Sequence, residues 1–166
     1  MNTPSNIGHA LAKGIELEAK FPLQEYFPDG PAIDFRSNCS RFWSSVDQVR
    51  GPNNRLDQQP TQTANVGMDY KLPNTGFTFG GNLNWTPAYS NQTSDTQAVY
   101  SGVKRQLDVY SLWKISPAVK LRLSASNLEA LDSQSGSSVY ADGINYTQGS
   151  RSKTFKVLTL RLEIKI

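Results

Sequence analysis

The sequence predicts an all-β fold: an antiparallel up-and-down transmembrane β-barrel segment of about seven strands, incomplete as a barrel on its own. Three observations predict it. From Phe155 to Ile166 the chain alternates, with Leu158, Leu160, Leu162, Ile164 and Ile166 on one side and Val157, Thr159, Arg161, Glu163 and Lys165 on the other. Successive side chains of a strand point to opposite faces, so one face is aliphatic and the other charged, as lipid and a wet lumen require. Similar alternating segments recur along the chain, and the links between them are short and long in turn, the rhythm of periplasmic turns and extracellular loops. Finally, Phe21, Tyr70, Phe77 and Trp113 sit beside short links while Trp43, Trp85 and Tyr89 sit beside long ones, as two interfacial girdles would.

The first strand runs from about Leu11 to Phe21, with Leu11, Ile15, Leu17, Ala19 and Phe21 opposing Glu16, Glu18 and Lys20. Pro22 opens a turn region that continues through Pro28, Asp29, Gly30 and Pro31, residues whose backbone preferences suit a reversal. The second strand sets Ile33 and Phe35 against Asp34, Arg36, Asn38 and Ser40. Strict alternation would put Arg41 on the greasy side, which predicts a bulge or an emergence from the bilayer there.

A polar stretch from Asp47 to Gln62 follows. Ala64, Val66, Met68 and Tyr70 then oppose Asn65, Asp69 and Lys71; the chain turns at Pro73 to Gly76 and returns with Phe77, Phe79, Leu83 and Trp85 against Thr78, Asn82 and Asn84. These two strands read as a hairpin. A second polar stretch, Pro87 to about Lys104, leads to a strand with Leu107, Val109, Trp113 and Ile115 on one side and Asp108, Tyr110 and Lys114 on the other. Ser116 and Pro117 reverse it into Val119, Leu121, Leu123 and Ala125 opposing Lys120, Arg122, Ser124 and Ser126. A long Ser/Gly/Asp-rich stretch, Asn127 to Lys153, precedes the closing strand.

Composition excludes several classes. The 166 residues contain no run near the roughly 18 apolar residues of a membrane helix. The mean hydropathy of −0.49 is compatible with a barrel, because lumen-facing residues dilute every strand. The net charge of +3 is spread singly among acidic residues, without the basic cluster that nucleic acid would favour. One cysteine, Cys39, and one histidine, His9, allow neither an internal disulfide nor a Cys/His metal site. Met1 to Ser5 have no basic or apolar signal region. No nucleophile, acid/base pair or phosphate loop stands at a meaningful spacing, so neither an enzyme nor a cofactor is expected.

Certain segments resemble the barrel of TonB-dependent outer-membrane receptors. Asn6-Ile7-Gly8-His9-Ala10 followed by Gly14-Ile15-Glu16-Leu17-Glu18 is similar to a strand-opening run of that family. Arg55 to Pro60, Leu107 to Pro117, Leu121 to Leu128 and the closing strand are similar to later segments in the same order. The resemblance implies a plugged barrel of ~22 strands, with residues 1–10 entering from a preceding extracellular loop and residues 11–166 forming the C-terminal part, without the plug domain. It implies uptake of a scarce nutrient such as a ferric siderophore, cobalamin or a glycan, driven through the TonB protein by way of an N-terminal region that this sequence lacks. The implied partners are outer-membrane lipid, an extracellular small molecule, and the barrel assembly machinery, which would read Leu158, Leu160, Leu162, Ile164 and Ile166. The family usually ends in an aromatic where this chain has Ile166.

Ligand contacts are expected from the long links, where Arg55, Tyr89, Tyr100, Tyr140 and Tyr146 offer stacking faces and hydrogen-bonding groups. The competing expectation is a soluble β-sandwich or carbohydrate-binding module, with Trp43, Trp85 and Trp113 as core or sugar-stacking residues. A sandwich must bury its aliphatic stripes between two sheets, and a membrane barrel leaves them outward on every strand.

Overall fold

A computed structural model describes residues 8–51 and 53–165. Part of the entry segment and the terminal Ile166 lie outside the described residues. Among the described residues eleven strands form two antiparallel sheets. The larger sheet contains β1 (Ala10–Pro22), β2 (Ile33–Val46), β3 (Gln62–Lys71), β4 (Phe77–Thr86), β7 (Lys104–Lys114), β8 (Val119–Ser126) and β11 (Val157–Ile164), paired in that order. These are the seven strands expected from alternation. The first connection holds a single 3-10 turn, Leu23–Glu25.

The register keeps the two faces separate across the sheet. Leu158 pairs with Ala125 and Leu160 with Leu123; Leu123 pairs with Ser111, Ser111 with Phe79 and Phe79 with Tyr70. No acidic residue falls on this face in any of the seven strands. At its short-connection end the aromatics touch: Phe21 lies 5.3 Å from both Phe35 and Tyr26, and Phe77 stacks on Trp113 at 5.3 Å. The pairing of β1 with β2 runs unbroken from Ala10–Val46 to Pro22–Asp34, so there is no bulge at Arg41. β3 stops pairing with β2 at that residue, while β1 stays paired with β2 as far as Val46, and Arg41 is still on the aliphatic side.

The aliphatic face is not covered. Leu158 is 76 % exposed and Leu160 68 %, and the buried apolar side chains among the described residues are Val46 and Val49. A sandwich would hide these stripes, so the soluble-module expectation is overturned. The two sheets do not form the facing layers of a common core.

Two long connections differ from the sequence expectation. Pro87 to Lys104 contains β5 (Tyr89–Ser94) and β6 (Gln97–Ser101), and the stretch from Asn127 to Lys153 contains β9 (Ser133–Ala141) and β10 (Ile144–Ser152). β6 pairs with β9, which joins both hairpins into a second sheet of order β10-β9-β6-β5. Asp142 and Gly143 both have positive φ and link β9 to β10 with two residues, the geometry that matches strand twist in a tight hairpin. The long links therefore stand up as a sheet at one end of the larger one.

The third long link, between β2 and β3, braces this second sheet. Gln92 donates its backbone N–H to Asn53 O at 2.8 Å, Arg50 N–H reaches Asp95 at 3.0 Å, and Asn91 Nδ2 donates to Leu56 O at 2.8 Å. Asn91 is fully buried. Its Nδ2 is partnered by the link while its Oδ1 has no hydrogen-bond partner, so it is the donor side of this buried amide that ties β5 to the link.

Candidate functional site

On the polar face of the larger sheet, side chains from four strands lock together. Arg36 of β2 pairs with Asp69 of β3 at 2.5 Å, Tyr110 of β7 donates its hydroxyl to the same carboxylate at 2.6 Å, and Arg122 of β8 lies 4.1 Å from the Tyr110 ring centroid. Asp69, Gly80 and Tyr110 occupy one row across β3, β4 and β7. A Cβ at Gly80 would collide with both the Asp69 carboxylate and the Tyr110 ring; the missing side chain is what lets Tyr110 reach over β4. Gly67 plays the same part for Arg36, whose Nε would lie 2.8 Å from an added Cβ. Lys71 pairs with Asp34 at 2.7 Å, and Asn38 donates to Glu16. Two ion pairs, Arg36–Asp69 and Lys71–Asp34, and the contacts around them tie four strands into a polar wall. Among the described residues no three His, Cys, Asp or Glu side chains come together to hold a metal.

Toward the long-connection end the wall opens into a cleft of about 600 Å³ lined by Thr63, Asn65, Asn84, Gln106 and Lys104. A second cleft of about 510 Å³ lies against the smaller sheet, lined by Tyr89, Ser101, Ser135, Ser137, Gln148 and again Lys104. The shared Lys104 makes them neighbours. Amides and hydroxyls, with the Lys104 ammonium, the Arg105 guanidinium and the Asp57 carboxylate, line the two clefts, which suits reversible contact with a polar solute.

The five expected ligand residues are distributed unequally. Register puts Tyr89, Ser101 and Ser135 on one face of the smaller sheet, and Tyr146, opposite Val139, shares that face. Tyr100, opposite Gly136, and Tyr140 occupy the other. Arg55 is held inward: its guanidinium donates to Phe42 O at 2.9 Å, Pro60 O at 3.2 Å and Gln59 Oε1 at 3.3 Å. Burial, and then the positive charge of Arg41, pushes the Arg55 pKa below the ordinary guanidinium value. Its side chain fastens the β2–β3 link to β2. Lys104 and the amide row of β3, β4 and β7 did not stand out in the sequence, because isolated polar residues on alternating strands give no local motif.

The model for TonB dependent receptor-like β-barrels matches residues 1–128. The chain belongs to this family. TonB-dependent receptors are outer-membrane transport proteins, and the match extends from before β1 to just past β8. β9 to β11 follow it and are tied to the matched region by the β6–β9 and β8–β11 pairings. No curated protein and no solved structure matches the chain.

Proposed function

We propose that the chain is the C-terminal wall of a TonB-dependent receptor that imports a scarce nutrient, such as a ferric siderophore, cobalamin or a glycan. The observation that carries the reading is the exposed aliphatic face, continuous across the seven strands and backed by a polar face. In this reading the long connections and the smaller sheet face outward from the cell, residues 11–166 contribute barrel wall, and residues 1–10 arrive from an extracellular loop. β1 and β11 are the edges of the larger sheet and, with five strands alternating between them, run in the same direction. A bilayer does not tolerate open edges, so closure takes an odd number of further antiparallel strands. The barrel assembly machinery would engage β11 through Leu158, Leu160, Leu162, Ile164 and Ile166, and TonB would act through a plug domain.

The nutrient would first meet the cleft of Tyr89 and Lys104, then the amide row below. Deleting the gene is expected to abolish growth on one of ferric siderophore, cobalamin or glycan supplied as sole source. Undiminished growth on all three would contradict the proposal. With the nutrient so identified, Tyr89→Ala is expected to weaken its binding to cells about twofold to tenfold, and unchanged binding would remove Tyr89 from the site.

A further inference from the structure

We infer that the face of the smaller sheet opposite the Tyr89 cleft carries a second binding site, shaped for a neutral saccharide whose pyranose rings present flat apolar faces. The inference goes beyond transport and does not depend on it. A cleft of about 430 Å³ lies on that face, and the register explains its shape. Tyr100, Gly136 and Gly149 form one row across β6, β9 and β10. Ser138 and Thr147 pair on one side of this row, Gln134 and Arg151 on the other. Tyr100 therefore stands at the end of a trough whose floor is bare backbone and whose walls carry hydroxyls and an amide. The two walls are separated along β9 by about 13 Å, and β9 and β10 together are about 10 Å wide, which leaves room for one sugar ring on the glycine floor.

The two glycines of the floor differ. A Cβ on Gly136 would lie 2.8 Å from Gln148 O, so the pairing of β9 with β10 itself excludes a side chain there. A Cβ on Gly149 would meet nothing nearer than Ser135 O at 4.0 Å, and its φ is not positive. Neither packing nor backbone conformation asks for glycine at 149. A glycine inside a strand weakens it and marks a place where another molecule comes close to the backbone. The chemistry of the walls selects the ligand. Arg151 is the one charged residue of the lining and is paired with Asp132 at 2.9 Å, so the trough has little to offer an ion. Ser138, Thr147 and Gln134 supply donors and acceptors at its margins, and the Tyr100 ring, 45 % exposed, offers a flat face to C–H groups. A pyranose with equatorial hydroxyls has this complementary pattern: polar around its edge, apolar on both faces. The Tyr89 cleft has Lys104 and Asp57 in its lining, so the two faces of one sheet present different chemistry.

The test is calorimetric titration of the native protein, extracted from outer membranes into a detergent without a sugar headgroup, with cellohexaose, a neutral chain of all-equatorial glucose rings. Saturable binding with a Kd below about 1 mM is expected. Gly149→Val fills the floor with a residue that strands favour and is expected to weaken binding at least about tenfold. Tyr100→Ala is expected to weaken it about twofold to tenfold, with Tyr100→Phe, which keeps the ring, restoring it. Tyr146→Ala, on the other face of β10, is expected to leave it unchanged. Absence of saturable binding by the unaltered protein, or an equal loss in Gly149→Val and Tyr146→Ala, would overturn the inference. Cells carrying Gly149→Val are expected to import their nutrient at the unaltered rate, as a saccharide held apart from the uptake route requires; import lost together with saccharide binding would overturn the assignment of a separate site. A protein that bound cellohexaose in this way but imported nothing would contradict only the proposed function.

Discussion

Leu160→Arg is expected to destabilise the protein in a bilayer by about 2–4 kcal/mol, the cost of a cation near mid-membrane on a lipid-facing strand position. Leu160 lies near the middle of β11, opposite Leu123, and is 68 % exposed. In a water-soluble protein a leucine this exposed is replaced by arginine within about ±0.5 kcal/mol, because no buried contact is lost. The opposite substitution on the neighbouring residue, Arg161→Leu, falls on the polar face and is expected to have little effect. Urea unfolding of the native protein in lipid vesicles distinguishes the two cases: a large loss at residue 160 and a small change at 161 follow from the membrane reading, and equal small effects contradict it.

The polar wall yields the second large effect. Asp69→Ala removes the carboxylate that holds both Arg36 and Tyr110 and is expected to cost about 1.5–3 kcal/mol, the range for hydrogen bonds to a charged partner. The Asp69 side chain is only 22 % exposed, so water replaces the lost contacts incompletely. Tyr110→Phe is expected to cost about 1 kcal/mol. Because both residues act on one network, the double variant should cost less than the sum by at least about 0.5 kcal/mol. Strict additivity in the same unfolding experiment would mean that Tyr110 and Asp69 do not support one another.

The main sheet was legible because its two faces see different solvents. Where one face meets lipid, every second residue is constrained, and the phases of β1, β3, β4, β7, β8 and β11 follow from alternation alone. The smaller sheet has no such constraint. Ser133–Ala141 and Ile144–Ser152 are rich in Ser, Gln and Gly and exposed or half-exposed throughout, so they show little contrast between faces. One signal was present nonetheless: Asp142-Gly143 between Val139-Tyr140-Ala141 and Ile144-Asn145-Tyr146 is a type of two-residue link that specifies a hairpin. The β6–β9 pairing, which joins the two hairpins, depends on contacts between distant segments and had no local trace.

The candidate site was less legible than the fold. Tyrosines attract attention in a polar link whatever their orientation, and the register divides Tyr89 and Tyr146 from Tyr100 and Tyr140. Arg55 is a ligand-contact candidate by composition, and its three carbonyl partners show that it also fastens the β2–β3 link. The Asp69–Gly80–Tyr110 row could not be read locally, since its members come from three strands and meet only because the middle one lacks a side chain.

The central claim is that the aliphatic face meets lipid. Spin labels placed one at a time at residues 158 to 163 of the native protein in lipid vesicles test it most directly, through their accessibility to oxygen and to a water-soluble nickel chelate. The account predicts an alternation, with labels at 158, 160 and 162 relaxed by oxygen and those at 159, 161 and 163 by the chelate. Labels at 158, 160 and 162 relaxed chiefly by the chelate, or shielded from both reagents, would contradict it.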